Sequence, residues 1–294
     1  MTAFPETIMW EGTVRSLSLR EQIRATKTAG FDKLSTTPLK YIQSLLEGFS
    51  SEDMLQLAAD SGIGISHLDP LCRWCRQWKP ENIIGGGMPL AFFSFSVDDF
   101  LRIASTLKVE SLTAMTVAPH GSMSVDEMTG DFAALCDRAA DYGIRCDLEF
   151  IPLDWAIPDL ATAWTIVRNA DRKNSGLTFD FWHFVRSGLP FELLRTIPGD
   201  KISCVQLADG LVHVPAHRSK FQDCLEDRVP PGAGEFPISA ILQTLKDIGG
   251  LRRVGPEVFS CEFDAMSADD IAVRCRETLV QALDSVGIRR TIPQ

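Results

Sequence analysis

One unit recurs along the chain: a polar helix cap, an amphipathic run, a glycine and a short apolar segment. Ser18 and Glu21 have the spacing of a capping box, and the run behind them predicts a helix that ends near Gly30. Residues 31–35, which follow that glycine, are then predicted to form the next strand of the unit. The same order recurs over 124–151, which indicates a fold built from repeated helix-to-strand steps.

The same pattern, which also appears over 50–68, predicts eight short strands with helices between them and a last helix over 267–286. The predicted strands are 8–14, 31–35, 63–68, 111–117, 144–151, 177–182, 202–207 and 254–260. Apolar strands that alternate with helices are typical of a parallel sheet with both faces covered. We therefore predict an α/β fold, a single (β/α)8 TIM barrel domain over residues 1–294. A doubly wound open sheet is the alternative.

Length and charge narrow the function classes. The 294 residues fit one barrel, and 29 basic against 39 acidic side chains give a net charge of −10. That charge disfavours binding to nucleic acid or to an acidic membrane surface. The sequence also lacks a signal peptide pattern and an apolar stretch of about 18 residues, the length that a membrane span needs. We expect a cytoplasmic protein.

Eight cysteines are spread thinly through the sequence, which predicts free thiols rather than a disulfide framework. Cys72 and Cys75 have the only spacing typical of a zinc or redox site. Because neither a second cysteine pair nor a nearby histidine pair accompanies them, we expect ordinary thiols there.

Polar side chains lie in or at the ends of the last four predicted strands: Glu149, Asp180, Gln206 and Glu257. The carboxyl ends of barrel strands meet at one face, where acids without a partner would repel one another at a cost of several kcal/mol. A single acid there could be a salt-bridged structural residue, but four successive strands favour a bound cation. Their hard oxygen ligands predict Mn²⁺ or Mg²⁺, with Co²⁺ or Zn²⁺ as alternatives.

These tracts are similar to those of the xylose-isomerase-like sugar phosphate isomerase/epimerase superfamily, and the resemblance spans most of the chain. The matching tracts are Asp147-Leu-Glu149-Phe, Asp180-Phe-Trp-His183 with Arg186-Ser-Gly188, Val205-Gln-Leu-Ala-Asp209, Arg228 with Pro231-Gly-Ala-Gly-Glu235, and Pro256-Glu-Val-Phe-Ser260. The resemblance implies a TIM barrel enzyme that acts on a small sugar-like molecule.

The resemblance also implies roles for the strand-end residues. Glu149, Asp180, the strand-seven residue Gln206 and Glu257 would bind the metal. Proton transfer next to a metal-bound carbonyl would then proceed through an enediolate, with Glu149 and Glu257 as catalytic acid and base. Loss of a β-hydroxyl from the same enolate would instead give a dehydratase.

Four further residues are candidate substrate contacts. The resemblance implies that His183 and Arg228 hold substrate oxygens, although His183 could instead only orient Asp180. His67 and Glu11, at the predicted ends of strands three and one, are candidates by position. For these two the alternative is an ordinary polar residue at the barrel rim.

One position departs from the pattern. Many epimerases of the superfamily carry histidine where this chain has Gln206, and a glutamine there resembles the inosose-dehydratase-like branches; an amide is the weaker ligand and argues against sugar epimerisation specifically. The main hypothesis, from the whole pattern, is a metal-dependent isomerase or epimerase of a sugar or sugar-like ketone. A dehydratase (lyase) acting on a cyclic keto substrate, of the inosose or dehydroshikimate kind, is the alternative.

Two other classes fit less well. The apurinic endonucleases of the superfamily need many histidines and a basic DNA-binding face, whereas this chain has five histidines and a charge of −10. A non-catalytic barrel subunit would have no reason to keep the strand-end acids. The apolar stretch 88–95 could serve as an interface of a homo-oligomer, as a lid or as a packed insert.

Overall fold

The computed structural model describes residues 4–79, 81 and 90–290. Its strands follow one another around a closed parallel barrel, with β8 beside β1, which confirms the predicted (β/α)8 fold. The strands are β1 (Glu6–Met9), β2 (Lys33–Thr36), β3 (Gly64–Leu71), β4 (Ser111–Ala114), β5 (Arg145–Leu148), β6 (Ser175–Asp180), β7 (Ile202–Leu207) and β8 (Arg253–Pro256).

Helices lie between the strands, as the sequence predicts. In the described part of the chain they are α1 (Leu19–Ala29), α2 (Pro38–Leu46), α3 (Ser51–Asp60), α4 (Leu90–Ser94), α5 (Val97–Leu107), α6 (Val125–Ala140), α7 (Leu160–Ala170), α8 (Phe181–Arg186), α9 (Phe191–Leu194), α10 (Lys220–Leu225), α11 (Ile238–Asp247), α12 (Cys261–Asp264) and α13 (Ala268–Asp284). The predicted capping box of Ser18 and Glu21 is present, and Gly30 ends α1 in the left-handed conformation. Over the described residues, no helix is long and apolar enough to cross a membrane.

Several strands end earlier than predicted. β1 stops at Met9 and is followed by a 3₁₀ helix over Glu11–Thr13, while β5 and β8 stop one residue before Glu149 and Glu257. Apolarity overestimates strand length here because the segments beyond the strands are also buried; Val258, for example, is fully buried.

Two strand-end assignments were wrong in a way that matters for the site. Trp182 was predicted to end strand six but lies in α8, because the Asp180 side chain caps that helix immediately after the strand. His67 was predicted near the end of strand three but lies in the middle of β3, which continues through Pro70 to Leu71. Because proline is uncommon inside strands, the predicted strand ended at residue 68, three residues before β3 does.

The chain divides into two compact units. The first unit comprises the described residues of Met1–Leu34, Leu57–Gly64 and Phe179–Gln294. In it β1 pairs with β2 and β8, β7 pairs with β8, and α1 packs against α13. These contacts bury an apolar core and leave the carboxyl ends of β7 and β8 side by side.

The second unit comprises Ser35–Gln56 and the described residues of Ile65–Thr178. In it β4 pairs with β3 and β5, β5 pairs with the first residues of β6, and α6 packs against α7. The expectation of a single domain over 1–294 stays a prediction.

The remaining expectations concern cysteines and the segment after β3. All eight cysteines are free, and Cys72 and Cys75 are both buried thiols. The glycine run 85–87 and the first two residues of the apolar stretch 88–95 lie outside the described residues. Within that stretch Leu90–Ser94 forms α4.

Candidate active site

Four buried polar side chains of the first unit contact one another: Asp180, Gln206, Arg228 and Glu257, hereafter the polar cluster. Their exposed fractions are 0%, 0%, 1% and 4%. The Gln206 amide Nε2 donates to Glu257 Oε1 at 2.8 Å. Arg228 Nη1 donates to Asp180 Oδ2 at 2.7 Å and lies 3.4 Å from Glu257 Oε2. One guanidinium therefore holds two carboxylates that would otherwise repel each other.

Asp180 is fixed by the junction between β6 and α8. It is the last residue of the strand and the N-cap of the helix, so its Oδ1 accepts the His183 N–H at 2.7 Å. The His183 ring follows on the same turn, with Nε2 3.9 Å from Asp180 Oδ1. The Asp-x-x-His spacing thus puts a carboxylate and an imidazole on one short turn.

Gln206 and Glu257 are placed by the pairing of β7 with β8. Gln206 is opposite Gly255 in the register, and the Glu257 N–H continues the ladder by donating to the Leu207 carbonyl at 2.8 Å. Gly255 itself has no room for a side chain, since a Cβ there would lie 1.6 Å from the Ile8 carbonyl oxygen of β1. This close approach of β8 to β1 therefore requires glycine two residues before Glu257.

A buried threonine from the segment after β1 fixes the backbone on both sides of Glu257. Thr13 Oγ1 donates to the Pro256 carbonyl at 2.8 Å and accepts the Val258 N–H at 2.9 Å. Its neighbour Gly12 lies so close to the Phe259 ring that a Cβ would be 2.5 Å from it. The sequence pattern did not identify Thr13, because a threonine between apolar residues is common in any buried segment.

Arg228 reaches the cluster from a short extended segment that bridges two others. Its N–H donates to the Phe259 carbonyl at 3.1 Å, and the next residue, Val229, pairs with Asp209 in both directions at 2.8 and 3.0 Å. The guanidinium is held by its own chain as well, because Nε donates to the Cys224 carbonyl at 2.8 Å. Together these contacts use most of its N–H donors.

Asp209 organises the glycine-rich loop that follows this segment. Its Oδ1 accepts the N–H groups of Gly210 and Phe236, both at 2.8 Å, and its Oδ2 accepts that of Gly232 at 2.9 Å. A Cβ at Gly234 would lie 2.4 Å from Asp209 Oδ1, so the loop needs glycine there. The tract around Asp209 and the tract 231–235 are separate in sequence, but these hydrogen bonds join them into one structural unit.

Burial and neighbouring charges set the ionisation of the cluster. Burial works to raise the pKa of Asp180, but Arg228 and His183 outweigh it and the pKa is lowered. For His183, burial and the nearby Arg228 charge lower the pKa to about 4 despite the Asp180 charge, so the imidazole is neutral at neutral pH. Burial opposes the charge of Arg228, yet Asp180 and Glu257 raise its pKa above the ordinary value and the guanidinium stays charged.

The donor set of the polar cluster fits a divalent cation. Gln206 Oε1 is buried and accepts no hydrogen bond from the described residues, and such an orphan carbonyl oxygen is costly unless a ligand meets it. Two carboxyl groups, from Asp180 and Glu257, supply further oxygen atoms in the same cluster. A hard cation would satisfy the orphan oxygen with these groups as the other ligands.

The remaining predicted site residues are Glu149, His67 and Glu11. Glu149 directly follows β5 in the second unit, is 5% exposed, and donates its N–H to the Ala114 carbonyl at 2.9 Å. His67 is buried in mid-strand, with Nδ1 2.8 Å from Ser66 Oγ. Glu11 is half-buried and lies 3.4 Å from Gln22 Nε2. The roles predicted for these three residues stay predictions.

Comparison with known proteins agrees with the resemblance seen in the sequence. The model of the xylose isomerase-like TIM barrel family matches residues 23–277. An inosose isomerase from Bacillus licheniformis is 34% identical over 150 residues, which cover 51% of this chain and 52% of that protein. A 3-dehydroshikimate dehydratase from Pseudomonas aeruginosa is 27% identical over 253 residues, which cover 84% of this chain and 37% of that protein.

Among solved structures, the crystal structure of the IOLI protein with a bound zinc atom superposes with a TM-score of 0.81 at 23% identity, covering 98% of this chain and 100% of that one. This likeness establishes the same fold. The matched segments span about half of the inosose isomerase and about a third of the dehydratase.

Proposed function

The chain belongs to the xylose isomerase-like TIM barrel family, and we propose that it is a divalent-metal-dependent isomerase or epimerase of a sugar-like ketone. The inosose isomerase similarity supports this class of reaction, in which a proton is moved at a carbon next to a carbonyl. The substrate would be a small polyol-derived ketone. A cytoplasmic location and a homo-oligomeric state belong to the same proposal.

The observation that carries the proposal is the polar cluster. Gln206 donates to one oxygen of Glu257 while its own carbonyl oxygen is buried without a partner in the described structure. A purely structural amide would use both of its ends. Here, among the described residues, the amide nitrogen is hydrogen-bonded and the amide oxygen is not, and two carboxylates lie beside it. This arrangement is typical of a ligand-binding site.

We propose that Asp180, Gln206 and Glu257 hold the metal, with Glu149, which the family resemblance implies, as the fourth ligand. Mn²⁺ or Mg²⁺ suits this oxygen set, while the zinc atom of the IOLI structure makes Zn²⁺ a necessary comparison. When bound, the metal would supply Lewis acidity that makes a carbon acid next to a carbonyl easier to deprotonate.

Glu257 has the geometry of a positioned base. Its two oxygens face donors from Gln206 and Arg228, so the carboxylate has a fixed orientation. A base held in place accepts a proton in a productive geometry more often than a mobile one. Glu149 is the proposed second carboxylate, which returns the proton to the substrate.

His183 and Arg228 have different proposed roles. The neutral His183 imidazole is suited to exchange a hydrogen bond with a substrate hydroxyl. Arg228 is committed to Asp180, Glu257 and the Cys224 carbonyl, which supports positioning of the carboxylates more strongly than direct substrate binding. His67, in mid-strand, and Glu11 remain weaker proposals for substrate contacts.

The test combines metal binding with isotope exchange. The purified metal-free protein is titrated with Mn²⁺, Mg²⁺, Co²⁺ and Zn²⁺, and each form is incubated in D₂O with ketoses, inososes and cyclic keto acids. We expect one equivalent of metal and deuterium incorporation next to the carbonyl of one substrate class. A protein that binds no divalent metal would contradict the proposal and favour a non-catalytic barrel.

A dehydratase is the second candidate, supported by the Pseudomonas relative whose match covers 84% of this chain. The same base would remove the proton, but a β-hydroxyl would then leave as water, so the product contains a conjugated double bond. Ultraviolet absorbance of the product distinguishes the two: isomerisation leaves it unchanged, whereas dehydration to an enone or aromatic ring raises it.

A further inference from the structure

Asp223, on α10, is a buried carboxylate that lies outside the polar cluster. It is 4% exposed, and its Oδ2 accepts the Trp182 indole N–H at 2.9 Å. The same oxygen accepts Arg186 Nε at 2.7 Å, and Oδ1 accepts Arg186 Nη2 at 3.1 Å. All of the partners that these contacts give it are side chains of α8, so Asp223 ties α10 to the helix that Asp180 caps.

Trp182 links this buried carboxylate to the polar cluster. Trp182 is 1% exposed. The guanidinium carbon of Arg228 lies 5.4 Å from the centroid of its ring, and that of Arg186 lies 5.6 Å from it. A cation is attracted to the face of an indole, so the orientation of the ring influences where the Arg228 charge rests. The Asp223 bond to the indole N–H fixes that orientation.

Arg228 is held from the remaining directions by Phe259 and Cys224. The Phe259 ring lies 4.9 Å from the guanidinium, and Cys224, next to Asp223 on α10, offers its carbonyl to Arg228 Nε. The Trp182 ring is therefore one wall of the slot in which the guanidinium contacts Asp180 and Glu257. If the Trp182 ring shifted, the Arg228 guanidinium would move, and with it the hydrogen bonds that hold the Asp180 and Glu257 carboxylates in position.

Arg186 extends the same network to the segment after β7. Besides its pair with Asp223, it donates Nη2 to the Leu211 carbonyl at 2.8 Å and Nη1 to the Val212 carbonyl at 3.0 Å. Its guanidinium also lies 5.2 Å from the Phe236 ring, in the loop that Asp209 organises. A planar fork can make these bonds together, whereas a lysine ammonium cannot.

We propose that Asp223 and Arg186 are positioning residues for the reaction, which act through Trp182 to fix the Arg228 guanidinium against Asp180 and Glu257. This inference deepens the proposed function and rests on it for the effect on turnover. The positioning itself is a property of the protein alone. Residues that orient the groups around a metal site commonly change affinity or activity by about 10- to 100-fold when they are mutated.

The experiment uses the full-length, metal-free protein labelled with ¹⁵N. The Nε–H resonance of Arg228 is assigned by its loss in Arg228→Lys, and its shift reports the ring currents of Trp182 and Phe259. The Arg228 resonance is recorded for Asp223→Asn, Arg186→Lys and Trp182→Phe. The last of these variants keeps an aromatic ring but removes the indole N–H. Mn²⁺ affinity, kcat and KM are measured on the same variants.

Asp32→Asn, at an exposed position of the first unit, is the control for the loss of a hydrogen-bonded carboxylate away from the polar cluster. Asp32 also accepts two hydrogen bonds, from the N–H and hydroxyl of Thr7, both at 2.8 Å, but it lies at the amino ends of β1 and β2. Thermal unfolding of every variant measures the purely structural effect. Because Asp32 is remote from the carboxyl ends, its substitution reports the loss of a carboxylate without the loss of positioning.

We expect Asp223→Asn to move the Arg228 resonance and to lower kcat or Mn²⁺ affinity by about 10- to 100-fold, with a smaller effect on KM. Trp182→Phe should give an intermediate loss of Mn²⁺ affinity or kcat, and Asp32→Asn should change only the unfolding temperature. The proposal is overturned if Asp223→Asn leaves the Arg228 resonance at its wild-type position, whatever it does to stability.

The two proposals fail in distinguishable ways. If the wild-type protein binds no Mn²⁺ and turns over no substrate, the proposed function is wrong, while a shifted Arg228 resonance still supports positioning. If the wild-type protein is active and metal-loaded but Asp223→Asn matches the Asp32→Asn control in resonance and kcat, positioning is wrong and the proposed function stands.

Discussion

The segments that follow β6 to β8 differ in chemistry from those that follow β3 to β5. At the ends of β6 to β8 and in the segment after β7, four buried polar side chains form the polar cluster. After β3 to β5 they form an apolar cluster in the second unit: Cys72, Phe93, Met115, Val117 and Ile151, with Trp78, Phe92, Leu153 and Trp155 packed against them. Glu149, 5% exposed after β5, is a buried acid that departs from this apolar character.

This difference suits the two groups of strands to different roles, ligand binding in one and stabilisation of the fold in the other. In the first unit, polar groups have one another as partners, and one buried oxygen is left for a ligand. In the second unit, apolar side chains remove water and stabilise the fold by burial. We therefore expect substitutions in the polar cluster to change metal binding and turnover, and substitutions in the apolar cluster to change the free energy of unfolding.

The largest effect is expected for Glu257→Gln. Loss of a general base typically lowers the rate by about 10²- to 10⁴-fold, and the near-identical shape of glutamine should preserve the fold. Turnover and thermal unfolding are measured together, with Glu192→Gln on the exposed surface of α9 as the control. An active Glu257→Gln enzyme would contradict the role of this carboxylate.

The next effect concerns the apolar cluster. Met115→Ala should lower the free energy of unfolding by about 2–5 kcal/mol, because it removes a buried side chain and leaves a cavity. Mn²⁺ affinity should stay within a factor of two of the wild-type value, as an order-of-magnitude expectation. Denaturant titration and calorimetry test this. A large loss of metal affinity with unchanged stability would erase the distinction between the two clusters.

A smaller effect is expected at Gln206. Gln206→Leu keeps the approximate size of the side chain but removes both the donor to Glu257 and the orphan oxygen, so Mn²⁺ affinity should fall by about 10- to 100-fold. Gln206→His restores a metal ligand and should recover most of the affinity. If both variants bind Mn²⁺ like the wild type, the amide is not part of the metal site.

The smallest effects compare two buried threonines. Thr13→Val removes a hydroxyl that bridges the backbone around Glu257, and Thr116→Val removes one that accepts the Ala118 N–H at 3.0 Å in the second unit. Both should lower the free energy of unfolding by about 1–3 kcal/mol. Only Thr13→Val should also lower kcat. Equal kcat values for the two variants would show that the Thr13 bridge does not control Glu257.

Much of the fold could be predicted because its signals are local. Helix caps depend on two or three residues, so Ser18 with Glu21 and the terminating Gly30 identified α1 correctly. Strand ends were less accurate, as at β3 and β8, because a buried segment beyond a strand has the same apolar composition as the strand itself.

Some of the candidate site was also visible in the sequence, since polar residues in apolar strands are rare enough to notice. Asp180, Gln206 and Glu257 were predicted together and lie close to Arg228 in the structure. Thr13, Asp209 and Asp223 were not predicted as part of the site. Each acts through partners 20 or more positions away in sequence, and no spacing rule marks such pairs.

The sequence by itself determined the alternation of strands and helices, the free cysteines and the acids at the strand ends, because periodicity, caps and composition are properties of neighbouring residues. Only the tertiary structure decided which charges meet. It brought the Arg228 guanidinium to both Asp180 and Glu257, turned the Gln206 amide toward Glu257, and placed two arginine guanidinium groups against the Trp182 ring. Such contacts depend on the register of β7 with β8 and on the path of the segment after β7, which are fixed by the whole barrel.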